Sequence, residues 1–143
     1  MPFVETSRTV VTPADCDVLG HMNVARYFGI CGDGVFSFQT MLGLGISDIR
    51  DGRKQSFAVV RAESDFKSEV VAGEVLYLQT AVERIGEKSI TFRHRLFRAE
   101  TGSIVFETGF QCVLLDLQSR RAAKLPDDVR QKAEAYLLPP DDL

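Results

Sequence analysis

The sequence predicts an α+β fold: a long central helix wrapped by a five-stranded antiparallel sheet, with a short C-terminal helix. Three observations carry this. A long apolar run covers residues 24–42, where only Arg26 and Asp33 are charged. Four β-patterned segments follow it, separated by short turn-like joins that make the later strands antiparallel neighbours. A helix lying on one face of a sheet needs a broad polar stripe, and this one has almost none. A curled sheet is therefore expected to surround it on most sides.

Residues 5–11 are rich in Thr and Val and stop just before Pro13, as a short first strand does. The next stretch, PADCDVLGHMN, is polar and crowded with reactive groups, and it leads directly into the apolar run. Gly29, Gly32 and Gly34 interrupt that run. Each costs roughly 1 kcal/mol against alanine in a helix interior. A single helix whose glycines let the sheet backbone approach is the expectation; two shorter helices broken at Asp33 are the alternative. A loop with Gly43, Gly45, Asp51 and Gly52 comes next.

Segments 56–66, 75–85, 89–98 and 104–117 are β-like. Ile90, Phe92 and Leu96 alternate with Thr91, Arg93 and Arg95, which places His94 among the packed residues. Pro126, Asp127 and Asp128 open a terminal helix running to residue 137, and Pro139-Pro140 stop it.

The 143 residues contain no repeat or linker, so one domain spanning 1–143 is expected. Hydrophobic residues make up 45% and charged residues 26%, a globular balance. A net charge of −3 argues against general nucleic-acid binding. Cys16, Cys31 and Cys112 form neither a disulfide framework nor a zinc pattern. No secretory signal and no apolar stretch of ~20 residues is present, so no membrane association and a cytoplasmic location are expected.

The chemistry gathers in Asp15-Cys16-Asp17-x-x-Gly20-His21-x-Asn23-x-x-x-Tyr27. From the local residues, Asp17 is either a loop carboxylate satisfying backbone donors or a reactive acid beside a helix N-terminus, where N–H groups stand unpaired. A Cys16-His21-Asp15 nucleophilic set is disfavoured, because adjacent residues on an extended segment point to opposite sides. A metal held by Asp15, Asp17 and His21 is disfavoured as well.

This pattern, ahead of a buried helix and four strands, resembles the hotdog-fold acyl-CoA thioesterases, in the group typified by 4-hydroxybenzoyl-CoA thioesterase. The resemblance spans nearly the whole chain, including Phe66 and Lys88-Ser89. It implies hydrolysis of an acyl-CoA to free acid and CoA, with no metal or organic cofactor. It implies a homodimer whose sheets join edge to edge, often paired again into a homotetramer, with active sites between subunits. Asp17 corresponds to the nucleophile or general base, and an N–H near Val24 to the donor that polarises the thioester carbonyl. Asn23 reads as the helix N-cap, His21 as a positioner of the loop, and Tyr27 as a packed residue with its hydroxyl at the site edge. Lys88 matches a basic position that meets the nucleotide, with Arg84, Arg120 and Arg121 as further phosphate partners. Val59, Val60, Ala62 and Phe66 are candidates for the acyl pocket. One departure is Phe28-Gly29, where many relatives have an aromatic residue followed later by a glutamate; Asp33 only loosely replaces that acid. Two rival readings stay open, a hydratase or dehydratase acting on acyl thioesters and a non-catalytic acyl-CoA-binding protein.

Overall fold

In the computed structural model, which describes residues 2–142, strand β1 (Val4–Val10) leads through a 3-10 turn (Pro13–Asp15) to helix α1 (Val24–Met41). A short helix α2 (Ile46–Arg50) precedes strands β2 (Gln55–Phe66), β3 (Val75–Ile85), β4 (Ser89–Arg98) and β5 (Ile104–Asp116). A two-residue strand β6 (Arg121–Ala122) and helix α3 (Asp127–Glu134) complete the chain, with a last 3-10 turn at Pro140–Asp142. The sheet order is β1-β3-β4-β5-β2, with every pair antiparallel, and β6 adds to β5. Strand β2 is left at an edge. Two elements were not expected. Helix α2 occupies part of the Gly- and Asp-rich loop, and β6 extends the five-stranded sheet; both are too short to show a period.

The sheet curls against α1, which is continuous through Gly32-Asp33-Gly34. Of the glycines in question, Gly34 alone admits the sheet: a methyl group there would clash with Leu78 and crowd the Thr6 hydroxyl. At Gly32 an added methyl would meet nothing within 4 Å. The expected enclosure on most sides is therefore corrected. Val24 is 52% and Phe36 58% exposed, because a single sheet covers only one side of the helix. On the covered side Phe38, Phe92, Phe106 and Leu96 are fully buried. Helix α3 adds Val129 and Ala133 to the same core, and Tyr136 packs edge-on to Phe38 at 5.1 Å.

A polar row crosses the inner face at mid-sheet, with one residue on each of the five long strands. Thr6 bonds Thr80 at 2.8 Å, Thr80 bonds His94 Nδ1 at 2.9 Å, and Thr108 bonds Ser64 at 2.7 Å. His94 is fully buried, as its alternation predicted. Burial, helped by the charge of Arg93, pushes its pKa down to about 3, so the ring is neutral.

Candidate active site

The crowded stretch before α1 folds as a tight reversal. Cys16 and Met22 form an isolated antiparallel bridge, Asp17 N–H donates to His21 O at 3.2 Å, and Gly20 N–H donates to Asp17 O at 3.0 Å. Gly20 has φ +86°, a left-handed conformation that favours glycine. The Asp17 carboxylate accepts from Leu19 N–H at 2.9 Å through one oxygen and from Asn23 Nδ2 at 2.9 Å through the other. Asn23 also caps α1, with its Oδ1 accepting from Ala25 N–H at 2.9 Å. One side chain thus ties the acid to the helix end. Beyond it, Val24 N–H has no protein acceptor among the described residues.

The Asn23 bond, reinforced by Leu19 N–H, holds the Asp17 carboxyl below the usual carboxylate range. Asp15 forms a turn: its carboxylate accepts from Thr12 N–H at 2.8 Å and lies 3.4 Å from Arg26. Cys16 packs against the core, with its Sγ 3.7 Å from Thr12 O. His21 Nδ1 lies 3.3 Å from Met22 O.

Two depressions flank Asn23. One, of about 450 Å³, is lined by His21, Met22, Val24, Tyr27, Phe66, Lys67, Ser68 and Glu69. The other, of about 410 Å³, is bordered by Asp15, Cys16, Asp17, Asn23, Arg26 and Gly29. Tyr27 is 4% exposed, with its ring 5.1 Å from Phe66 and 5.0 Å from Phe106. Its hydroxyl donates to Ser68 O at 3.4 Å, and burial pushes the phenol pKa up. Asp17, His21, Asn23, Val24, Tyr27 and Phe66 are therefore brought together at one end of the molecule.

The remaining candidates lie elsewhere. Val59, Val60 and Ala62 are exposed on edge strand β2, with Val60 at a bulge in its pairing. Phe66 pairs with Phe106, whereas Ser89, next to Lys88, pairs with Val113. Seven residues of strand at ~3.4 Å each put Lys88 roughly 24 Å from the aromatic cavity. Arg120 and Arg121 share Lys88's end of the sheet. Arg84 borders a separate polar groove of about 310 Å³ with Arg61, Glu83 and Arg93. Asp33 is exposed and borders neither depression at the helix end. Sequence reasoning missed Lys67, Ser68 and Glu69. Their only signal is their place directly after Phe66, between a strand and a turn.

The Thioesterase-like superfamily matches the chain across residues 11–133. The chain belongs to this superfamily. Among superfamily relatives, the 1,4-dihydroxy-2-naphthoyl-CoA hydrolase of Synechococcus sp. (strain CC9605) is 26% identical over 142 residues, which cover 96% of this chain and 93% of the relative. The hydrolase of the same name from Nostoc punctiforme is 24% identical over 120 residues, 84% of this chain and 80% of the relative. A Staphylococcus aureus protein solved in complex with CoA superimposes with a TM-score of 0.84 at 19% identity, over 95% of this chain and 85% of that one. A 1,4-dihydroxy-2-naphthoyl-CoA thioesterase from Synechocystis gives 0.78 at 18% identity, over 92% and 95%. The fold is the hotdog fold expected from the motif.

Proposed function

We propose that the protein is an acyl-CoA thioesterase acting on aromatic acyl groups. The observation that carries this is an ionised Asp17 tied through Asn23 to a helix end whose first N–H is unpartnered, beside a cavity walled by Tyr27 and Phe66. Val24 N–H polarises the thioester carbonyl and receives the developing oxyanion. Asp17 then attacks the carbonyl carbon, or takes a proton from the water that attacks it. The C–S bond breaks and its electron pair leaves with the CoA thiolate. In the first route a mixed anhydride forms, and water cleaves it to free acid and the Asp17 carboxylate; in either route the remaining proton goes to the CoA thiolate. The hydrogen bonds that lower the pKa of Asp17 keep it ionised, the form that either route needs. The volume of about 450 Å³ has room for fused rings, in keeping with the naphthoyl-CoA named for the relatives.

The working form in this reading is a homodimer or homotetramer of one-domain chains in the cytoplasm, acting without a cofactor. Edge strand β2 exposes Val59 (48%) and Val60 (57%) beside unpaired backbone, a surface that suits a second copy. Antiparallel joining of two such edges brings the Lys88 end of one sheet toward the Asp17 end of the other. Lys88, Arg84, Arg120 and Arg121 then meet the CoA phosphates from across the interface. A hydratase needs a helix carboxylate beside a histidine, and exposed Asp33 does not supply one.

The test is thiol release from benzoyl-, hydroxybenzoyl-, 1,4-dihydroxy-2-naphthoyl-, acetyl- and crotonyl-CoA, with products identified by mass. Thiol and free acid in equal amounts, fastest for the aryl substrates, are expected. Water addition to crotonyl-CoA without thiol release, or tight binding without turnover, would overturn the proposal.

A further inference from the structure

We infer that Arg98, at the end of β4, is a positioning residue that fixes one wall of the acyl cavity; this rests on the functional reading above. The wall is a stretch with little sheet support of its own. After Phe66, both Lys67 N–H and Ser68 N–H turn to the same acceptor, Val105 O, at 2.9 and 3.3 Å. The ladder ends there, and Lys67, Ser68 and Glu69 leave the sheet to line the cavity.

Arg98 makes three bonds, two of them to the segment and one to Glu74 beyond it. Its Nε donates to Glu74 Oε1 at 2.7 Å, one terminal nitrogen donates to Ser68 Oγ at 3.1 Å, and the other donates to Glu69 O. The planar fork of a guanidinium suits such a set of acceptors, and a lysine ammonium does not reproduce it. Glu74 extends the grip, because its second oxygen accepts from Val71 N–H at 2.8 Å. Burial opposes the ionisation of Glu74, but the bonds from Val71 N–H and Arg98 outweigh it and hold the carboxyl below its ordinary value. The Arg98 side chain is 20% exposed, so solvent only partly screens these contacts.

The post that carries the guanidinium is rigid. Arg98 N–H donates to Ser103 O at 2.9 Å, Gly102 N–H donates to Arg98 O at 2.8 Å, and the residue pairs with Leu76 in the sheet. What it holds reaches the reactive turn by two bonds. Tyr27 donates to Ser68 O, and Met22 N–H donates to Val70 O at 2.7 Å. Met22 lies between His21 and Asn23, so the segment that Arg98 fixes also sets the turn carrying Asp17. Arg98 does not border the cavity, so its action on substrate is indirect.

The experiment compares wild type with Arg98→Gln, Arg98→Lys and Glu74→Gln on benzoyl-CoA and on the benzoyl thioester of N-acetylcysteamine, alongside hydrogen exchange at the Met22 amide. Arg98→Gln is expected to raise KM about 10-fold on both substrates with a much smaller change in kcat, as loss of ground-state positioning does. Met22 exchange should quicken while amides of the β3–β4 ladder keep their protection. Arg98→Lys should recover thermal stability without recovering KM. An unchanged KM in Arg98→Gln, or a KM fully restored by lysine, would overturn the proposal. Should Arg98→Gln fail to fold, Glu74→Gln removes the charged contact from the other side and is judged by the same criteria. Should wild type hydrolyse none of the aryl-CoA substrates, the functional reading falls. The clamp is then judged by Met22 exchange alone: faster exchange upholds it and unchanged exchange overturns it.

Discussion

The two ends of the sheet differ in chemistry. At one end, a helix N-terminus and aromatic rings face a cavity, and the carboxylate tied to that helix end borders the neighbouring depression. At the other, Lys88, Arg120 and Arg121 stand exposed on a hairpin, a turn and β6, with Arg84 close by on β3. The first end suits a thioester carbonyl and the second suits phosphates, yet one protomer holds them roughly 24 Å apart along the strands. If, as proposed, these are the two halves of an acyl-CoA site, a single chain does not assemble them side by side. Under the proposed function, the edge strand β2 is where a second copy joins them.

Removing the acid is the strongest way to break the first half of this comparison. Asp17→Asn is expected to lower kcat by at least ~100-fold while circular dichroism stays that of wild type, the scale of a lost acid–base or nucleophilic group. Near-wild-type turnover would remove Asp17 from the mechanism. The same residue sets the acid limb of the pH profile. Its carboxylate is the active form in the proposed reaction and its pKa is lowered, so the acid limb of the kcat/KM profile should lie below the range in which an ordinary aspartate titrates.

Next in size is the joint between the ends. Val60→Lys puts a charge on the exposed edge and is expected to shift the protein to monomer, with roughly a 10-fold loss of activity at micromolar concentration. Sedimentation velocity and thiol release on the same samples check this; an active, unshifted assembly would place the interface elsewhere. Lys88→Ala probes the second half. KM for an aryl-CoA should rise about 3–10-fold with kcat little changed, because the contact is alike in ground and transition states. The effect should shrink with added salt, which screens an exposed pair over roughly 10 Å at 0.1 M. It should be absent for an N-acetylcysteamine ester. Smallest is Cys16→Ser, expected to stay within about twofold of wild type, since surface and satellite packing changes are modest. Inactivation of the folded variant would revive a cysteine nucleophile.

The Asp17 end was legible because its geometry is local. The cap by Asn23, the glycine at +86° and the carboxylate held by Leu19 and Asn23 all arise within eleven consecutive residues, 15–25. The alternation of β4 likewise placed His94 in the core. The cavity wall was not legible, since Ser68 gains its place from Tyr27 and Arg98, which are 41 and 30 residues away. The apolar run of α1 was legible as burial but not as to what buries it. Gly34 meets its own sheet, whereas Phe36 remains open on the far side. The separation of Lys88 from the site follows from strand register, which no local pattern displays.

The most direct test of the shared site is complementation. Asp17→Asn and Lys88→Ala chains are mixed, exchanged to let subunits reassort, and assayed on an aryl-CoA at concentrations well below the Lys88→Ala KM. If Asp17 serves a thioester whose phosphates are held by Lys88 of the other copy, each mixed dimer has one site with both groups intact. Activity should then rise well above the mean of the two parents. Activity equal to that mean after confirmed exchange would contradict the account, because the two groups would then not be joined across subunits in one site.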